Sequence, residues 1–302
     1  MNAANAQPNP WILATRPKTL FASIAPVLLG LTLAYIHQNS LDPLVAFLTL
    51  FCALLMQVAS NIANDYLDSL KGVDTEKRLG PTRVTHAGLI SATQMRNALI
   101  GVLFLALLLG IYLMFVGGPV IIFVGLISLY FAYGYTGGPF PLSHNGLGEV
   151  AAFVFFGIVA VTGTVYLQTH EFHLIDFVMA MGPGFISATI LAVNNLRDIE
   201  TDQETNKRTI AVRFGENFQR RLCLALIICS SLLLILVAFL YHYNWLLPVC
   251  FLPLAFTGNW IQILKRPIDR SLNMALAKTA QYLLVYCLLS SLALLMSTGK
   301  LL

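Results

Sequence analysis

Charged side chains are scarce in this sequence. Of the 302 residues only 11% are Asp, Glu, Lys or Arg, against about 25% in an ordinary soluble domain. This scarcity excludes intrinsic disorder, which needs high charge and low hydrophobicity. It also leaves too little polar surface to cover a water-soluble globule. The apolar share is 57% and the mean hydropathy is +0.75, so most of the chain is predicted to lie in lipid.

Cysteine is also sparse, and no CxxC pair occurs. The five cysteines are widely spaced and mostly lie in apolar runs: Cys52, Cys223, Cys229, Cys250 and Cys287. This spacing argues against a disulfide framework and against a cysteine metal site, so we interpret them as small core residues. The net charge of +4 says little about nucleic acid, because in a membrane protein the position of each charge matters more than the sum.

A membrane-spanning helix needs about 20 consecutive apolar residues. Nine segments of the sequence qualify: 19–36, 44–63, 96–116, 119–136, 148–167, 174–196, 220–241, 245–264 and 278–296. The third and fourth meet at Gly117-Gly118-Pro119, which is a turn signal inside one long apolar run. We therefore predict an all-α, polytopic membrane protein. It is expected to form one transmembrane domain over residues 1–302, with a polar segment at 1–15 and an uncleaved first helix.

The basic residues predict the orientation in the membrane. If the N-terminus is cytoplasmic, every one of the 18 Lys and Arg residues except Lys300 falls on the cytoplasmic side. The cytoplasmic loops are then 64–95, 137–147, 197–219 and 265–277. Such a division follows the positive-inside rule, so we expect a multi-pass protein of the bacterial inner membrane with a cytoplasmic N-terminus.

The few acidic residues gather in two groups, and both groups lie on the same predicted side. The first group closes the second predicted helix and contains Asn61, Asn64, Asp65 and Asp68, with Asp74 beyond Gly72. The second group closes the sixth predicted helix and contains Asn194, Asn195, Asp198 and Asp202. Spacings of three or four residues put the members of each group on one helix face.

Carboxylates stacked on one helix face repel each other unless a cation holds them. Oxygen-only ligands suit a hard ion such as Mg²⁺, which commonly binds a few carboxylates together with substrate phosphates. Two such groups facing one another would hold a diphosphate, and nearby Arg and Lys would complete an anion clamp. Two other interpretations stay open: the acids are ordinary solvated loop charges, or they belong to a cation-coupled transporter.

The two segments also resemble one another. Both contain Asn, Asp and a second Asp, followed by a Lys-Arg pair at 77–78 and 207–208. Both leave even-numbered helices toward the same side, which is consistent with a parallel internal repeat.

The ordered set of motifs resembles the UbiA superfamily of intramembrane prenyltransferases. That superfamily has two aspartate-rich motifs, which here read Asn64-Asp65-x-x-Asp68 with Asp74, and Asp198-x-x-x-Asp202. Further segments resemble the branch that prenylates 1,4-dihydroxy-2-naphthoate. They are Arg16 to Leu20, Lys71-Gly72-x-Asp74, Gly80-Pro81-x-Arg83, Tyr135-Thr136, Pro139 to Pro141, Gly146 to Glu149, and Asn194 through Thr209.

The resemblance implies a reaction in which a polyprenyl diphosphate loses its diphosphate and the resulting allylic cation is attacked by the naphthoate ring. In this branch the ring also loses its carboxylate, and the product is a demethylmenaquinol. The implied partners are polyprenyl diphosphate, 1,4-dihydroxy-2-naphthoate and the lipid bilayer, with no nucleic acid and no protein partner. Other acceptors, 4-hydroxybenzoate or homogentisate, stay open.

Spacing and resemblance together predict the site residues. The expected Mg²⁺ ligands are Asp65, Asp68, Asp198 and Asp202. Catalytic roles are expected for these four and for Arg197 and Lys71. Binding of diphosphate and acceptor is expected from Asn64, Asp74, Arg83, Asn195, Lys207 and Tyr135.

Further side chains on the predicted catalytic side have plausible roles. Aromatic faces stabilise cations, and the candidates are Tyr66, Phe131, Tyr135, Phe153 and Phe156; for any one of them, ordinary packing is the simpler explanation. His86 and His144 are candidates for proton removal, although a loop histidine without a catalytic role is the simpler interpretation of each. Glu149, at the start of the fifth predicted helix, suits the helix dipole.

Overall fold

The computed structural model describes residues 9–72 and 78–300, and over these residues it is helical with no β-strand. The helices in chain order are α1 Pro10–Thr15, α2 Phe21–Gln38, α3 Pro43–Leu70, α4 Ala92–Gly134, α5 Gly148–Phe153, α6 Ala160–Thr169, α7 Leu174–Arg197, α8 Ile199–Glu204, α9 Ile210–Phe214, α10 Glu216–Tyr241, α11 Leu246–Val249, α12 Leu252–Ala255, α13 Thr257–Lys265 and α14 Leu272–Ser297. A π-helical segment, Val154–Val159, joins α5 to α6. The predicted all-α class is confirmed.

The helices are long and apolar enough to make this a multi-pass membrane protein. Within the described residues seven continuous helices have the length and composition of a membrane span, and one further pair, Leu246–Ala255 with Thr257–Lys265, is bent by 50°. The helix α4 has 43 residues, so its length of roughly 65 Å is about twice the hydrocarbon thickness.

The helix α4 is interrupted at the position where the sequence predicts a boundary between two spans. Gly118 has φ 62° and ψ −153°, a backbone conformation that glycine adopts far more easily than other residues, and Pro119 follows it. The chain would cross the membrane nine times if α4 formed two spans and the bent pair formed one, in addition to the six other long helices. The count of nine spans stays a prediction.

The helix α7 is the most buried of the long helices, and it packs against α5, α10 and α14. Small residues allow this packing. A Cβ atom on Gly157 would lie 2.5 Å from the Cα atom of Gly184, so the π segment and α7 cross with their backbones nearly in contact. Close backbone approach at small residues is a principal source of helix association in lipid.

Side-chain hydrogen bonds to backbone carbonyls connect neighbouring segments at both ends of the bundle. Asn61 in α3 donates to the carbonyl of Thr15 at 2.9 Å, which fixes the end of α1 beside the last turns of α3. At the opposite end Lys300 donates to the carbonyl of Ile36. The α1 helix, which lies within the predicted polar segment 1–15, is therefore close to the aspartate-containing end of α3.

Candidate functional site

The two aspartate-containing segments line one cavity at the end of the bundle. The cavity has a volume of about 330 Å³, and its lining includes residues from the last turns of α3, from the end of α7, and from α8. Eight of the predicted site residues line it: Asn64, Asp68, Arg83, Tyr135, Asn195, Asp198, Asp202 and Lys207. The structure thus brings together two segments that are more than 100 positions apart in the sequence.

The second segment is not one continuous helix. The helix α7 ends at Arg197, and Asp198 has φ −95° and ψ 11° before α8 begins. The amide of Asp202 still donates to the carbonyl of Asp198 at 2.8 Å, so the turn continues across the break. Asn194 and Asn195 of α7 therefore line the same cavity as Asp198 and Asp202.

Asp68 lies at the end of α3, and its side chain is buried. Its Oδ2 atom accepts from Nη2 of Arg83 at 3.2 Å, and Nε2 of His144 lies 3.9 Å from its Oδ1 atom. Within residues 9–72 and 78–300 this Oδ1 atom has no hydrogen-bond partner. One oxygen of this buried carboxylate therefore lacks a hydrogen-bond donor among the described residues.

Asp198 is bound tightly by the neighbouring guanidinium group. Nε of Arg197 donates to Oδ1 at 2.7 Å, and Nη2 donates to Oδ2 at 2.5 Å. Burial of the Asp198 carboxyl opposes its ionisation, but the hydrogen bonds and charge of Arg197, with the charges of Arg78 and Lys207, outweigh burial and lower its pKa. Asp198 is therefore a stable carboxylate.

Arg197 itself does not line the cavity. It is buried, donates to Asn273 and Asn194 as well as to Asp198, and packs against Gly80, where a Cβ atom would lie 2.8 Å from Nη2. The structure therefore makes Arg197 a residue that positions Asp198, and the predicted direct catalytic role stays untested.

Asp202 and Lys207 form the third charged pair, with Nζ 3.5 Å from Oδ1. Burial raises the pKa of Asp202 to about 6, opposed by Lys207 and reinforced by the charges of Asp198 and Asp68. Burial lowers the pKa of Lys207, but the three aspartates outweigh it and the net shift is upward. Within the described part of the chain Oδ2 of Asp202 has no hydrogen-bond partner, so a second carboxylate oxygen is open.

Asp65, unlike Asp68, does not line the cavity. Its two carboxylate oxygens accept from the backbone amides of Val84 and Thr85, each at 3.0 Å. These bonds hold the loop that presents Arg83 to Asp68. The prediction that Asp65 binds metal stays a prediction, but the contacts give this residue a structural part in the site.

Lys71 also lies outside the cavity lining. Its Nζ atom donates to the carbonyl of Thr136 at 2.6 Å, and the Thr136 hydroxyl donates to Asn64 at 2.6 Å. The pair joins the end of α3 to the residues after α4, next to Tyr135. Asp74, the remaining predicted residue, lies outside the described residues.

Several residues of the site were not predicted as such. Arg78 and Arg16 line the cavity, and Nη2 of Arg78 lies 3.8 Å from Oδ2 of Asp198. Glu149 is buried, and its Oε1 atom accepts from both Asn195 and Gln219 at 2.9 Å, which fixes the Asn195 amide. The Lys-Arg pair at 77–78 was the only sequence signal for Arg78, and the segment Arg16 to Leu20 was the only one for Arg16.

Apolar and aromatic side chains line the rest of the cavity. Phe131, Phe155 and Phe156 line it together with Tyr135, whereas the other aromatic candidates, Tyr66 and Phe153, do not. Two of these phenylalanines belong to the π-helical segment, and such segments often occur at functional sites. Burial and the nearby acids raise the pKa of Tyr135, so its hydroxyl is neutral and able to donate.

The donor set fits a hard divalent cation. Oδ1 of Asp68 and Oδ2 of Asp202 are buried and have no hydrogen-bond partner among the described residues, and oxygen-only ligands favour Mg²⁺. Within the described residues, however, the three carboxylates do not converge within 4.8 Å of one another. A cation here would therefore be held jointly with waters and substrate oxygens, which is the usual mode for Mg²⁺.

Comparison with known proteins agrees with this arrangement. Residues 23–282 match the model of the UbiA prenyltransferase family. A 1,4-dihydroxy-2-naphthoate octaprenyltransferase from Escherichia coli is 35% identical over 281 residues, covering 91% of this chain and 84% of the relative. A protein of the same name from Haemophilus influenzae is 39% identical over 212 residues, covering 68% and 69%.

The fold agrees as well. The solved structure of a UbiA homolog from Archaeoglobus fulgidus bound to GPP and Mg²⁺ superimposes with a TM-score of 0.69 at 15% identity, covering 94% of this chain and 99% of that one. The family match, the extent of the identity and the shared fold establish that this chain belongs to the UbiA prenyltransferase family.

Proposed function

We propose that this protein transfers a polyprenyl group from polyprenyl diphosphate to 1,4-dihydroxy-2-naphthoate, releasing diphosphate and CO₂ and giving demethylmenaquinol. The observation that carries the proposal is the single cavity in which acids and cations of both segments meet an aromatic, apolar wall. Such a cavity suits an amphiphilic diphosphate. The acceptor is supported by relatives from several bacteria that bear the name of this activity.

Mg²⁺ is the cofactor we propose, and Asp68, Asp198 and Asp202 would hold it. Support comes from the open oxygens of two of these acids and from the related structure described with GPP and Mg²⁺. When bound, the ion supplies positive charge to the diphosphate oxygens and makes the diphosphate a better leaving group.

The basic side chains have a separate part in the reaction. Arg78, Arg83 and Lys207 line the cavity beside the acids, where they offset the charge that gathers on the leaving diphosphate as the C–O bond breaks. Fixed cations in a water-poor cavity act most strongly at that stage. The diphosphate and its first isoprene unit would therefore lie between the two segments.

The aromatic wall has two tasks in this proposal. Phe131, Phe155 and Phe156 exclude water from the allylic cation, and their ring faces stabilise positive charge. The electron-rich naphthoate ring then forms the new C–C bond at the carbon that bears its carboxylate. Loss of CO₂ restores the aromatic ring, so this ring carbon needs no proton acceptor.

We also infer that the chain forms one transmembrane domain in a bacterial inner membrane, with the N-terminus and the charged end in the cytoplasm. The basic loops gathered around the cavity support this orientation. Both the diphosphate and a soluble naphthoate would then reach the site from the cytoplasm.

The first prediction concerns the acceptor. Purified protein in detergent, given polyprenyl diphosphate, Mg²⁺ and equal amounts of 1,4-dihydroxy-2-naphthoate and 4-hydroxybenzoate, is expected to yield only the prenylated, decarboxylated naphthol product. Mass spectrometry of the extracted products measures this. A prenylated hydroxybenzoate as the main product would overturn the acceptor, and the absence of any diphosphate release would overturn transferase activity.

The second prediction concerns the carboxylates. Asp68→Asn and Asp198→Asn are each expected to lower turnover by about 100-fold or more, because each replaces a charge that the cation and diphosphate require. Diphosphate release measures the effect, and thermal unfolding monitors the fold. Asp269→Asn is the matched control, since Asp269 is an exposed loop acid whose carboxylate accepts hydrogen bonds only from Ser271 among the described residues. Near-normal turnover of the Asp68→Asn/Asp198→Asn double variant would contradict the assignment.

The third prediction concerns Arg197. Lysine keeps the charge but cannot make the two parallel hydrogen bonds to Asp198, so Arg197→Lys is expected to lower kcat by about 10- to 100-fold, as for residues that orient a metal ligand. KM for the prenyl diphosphate should change little, because Arg197 does not line the cavity. Lys265→Arg, outside the site, is the control. If Arg197→Lys had the same kcat as Lys265→Arg, the proposal that Arg197 positions Asp198 would be wrong.

The fourth prediction concerns orientation. With the native cysteines replaced, Leu89→Cys is expected to resist a membrane-impermeant maleimide in intact spheroplasts, whereas Ser40→Cys should react. Both positions are exposed, and they lie on opposite sides in the predicted topology. The reverse pattern would place the catalytic end outside the cell.

A further inference from the structure

A second group of ligand-type side chains lies at the end of the bundle opposite the cavity. His37 is in the last turn of α2, His173 directly precedes α7, and Asp176 is in the first turn of α7. Each offers a ligand atom, and these atoms all lie within 4.8 Å of one another. Nε2 of His37 is 2.9 Å from Oδ1 of Asp176, and the two imidazole rings stack with centroids 4.0 Å apart.

The Asp176 carboxylate is buried, but only one of its two oxygens has a hydrogen-bond partner among the described residues. Its side chain is 2% exposed, and its Oδ2 atom has no hydrogen-bond partner in the stretches 9–72 and 78–300. A buried carboxylate with a vacant oxygen is costly unless a further cation or donor compensates it. The open oxygen therefore points to a positively charged ligand at this position.

The two histidines are reachable from solvent, although the carboxylate is not. Their side chains are 21% and 33% exposed, although Nε2 of His173 is itself buried. Nε2 of His173 also lies 3.3 Å from a carboxylate oxygen of Glu171, which is mostly exposed. A fourth ligand is thus available next to the three, from Glu171 or from water.

We propose that His37, His173 and Asp176 form a binding site for a transition-metal ion of the Zn²⁺ type. Two imidazoles and one carboxylate with a fourth position open match the preference of Zn²⁺ for nitrogen and oxygen ligands in tetrahedral geometry. Mg²⁺ and Ca²⁺ prefer oxygen ligands alone. The site therefore selects a different metal from the carboxylate cavity at the other end.

The bound ion would connect the ends of two helices that also build the cavity. It would join the end of α2 to the beginning of α7, and Lys300 already brings the end of α14 to the carbonyl of Ile36 beside it. Ser23 of α2 and Asn194 of α7 line the cavity at the far end. Zinc would therefore stabilise the spacing of these helices without taking part in the reaction.

Cobalt substitution tests the site and separates it from the catalytic one. Full-length protein with a histidine-free tag is held in excess Mg²⁺, which occupies the oxygen ligands, and is titrated with Co²⁺ and then with Zn²⁺. We expect one equivalent of Co²⁺ with the intense visible bands of a tetrahedral site, displaced by Zn²⁺. Zn²⁺ should also raise the temperature of thermal unfolding.

Variants assign the ligands. Outer-shell changes weaken metal binding by 10- to 100-fold, so loss of a direct ligand in His173→Ala or Asp176→Asn should weaken Zn²⁺ binding by about 100-fold or more. His173 lies in a loop, so its variant is the one least coupled to folding. His242→Asn is the control, because His242 is in a left-handed conformation that Asn readily adopts; it should bind like the wild type.

Three results would overturn the site. They are a wild-type protein that gives no tetrahedral Co²⁺ spectrum, a His173→Ala variant that binds Zn²⁺ as tightly as the wild type, and a His242→Asn variant that loses binding equally. These results concern metal binding alone and require no measurement of transferase activity. Failure of the metal site and failure of the proposed function are therefore distinguishable.

Discussion

Three buried carboxylates share one cavity, and the arrangement around them is governed by the need to compensate their charge. Each has its own cation: Arg83 bonds Asp68, Arg197 bonds Asp198, and Lys207 lies beside Asp202. The compensation is least complete at Asp202, where burial and the other two acids raise the pKa. A divalent cation would offset this excess of buried negative charge, so the stability of this end of the bundle and the proposed metal binding depend on the same side chains.

The two segments are held together by contacts that cross between them. Arg78, from the loop after α3, approaches Asp198 after α7, and the amide of Arg208 donates to the carbonyl of His144 at 3.0 Å. Asn273 of α14 donates to the carbonyl of Leu79 and accepts from Arg197, at 2.8 Å each. The loops around the cavity are therefore fixed by partners far away in the sequence, which keeps the acids at defined separations.

The apolar remainder of the chain explains why such a site lies at a membrane surface. Large side chains such as Phe115 and Phe239 are exposed on the outside of the bundle, where lipid covers them. Charged groups at the bilayer centre are costly, whereas at the ends of helices they meet water and lipid headgroups. The protein thus has a charged cavity at the helix ends and an apolar surface along the helices. This arrangement suits a substrate with a charged head and a long apolar tail.

The sequence by itself determined the helical membrane class, the segregation of charge to one end and the two aspartate-containing segments, because hydropathy and helical spacing are local properties. It also located the break in α4, since Gly118 and Pro119 act on the backbone directly. Tertiary structure alone decided which acids face the cavity: Asp65 and Asp68 are three positions apart, yet Asp65 bonds the amides of Val84 and Thr85. It likewise joined His37 to Asp176, 139 positions away. Such pairings depend on how helices pack and how loops return, and helical periodicity carries no information about either.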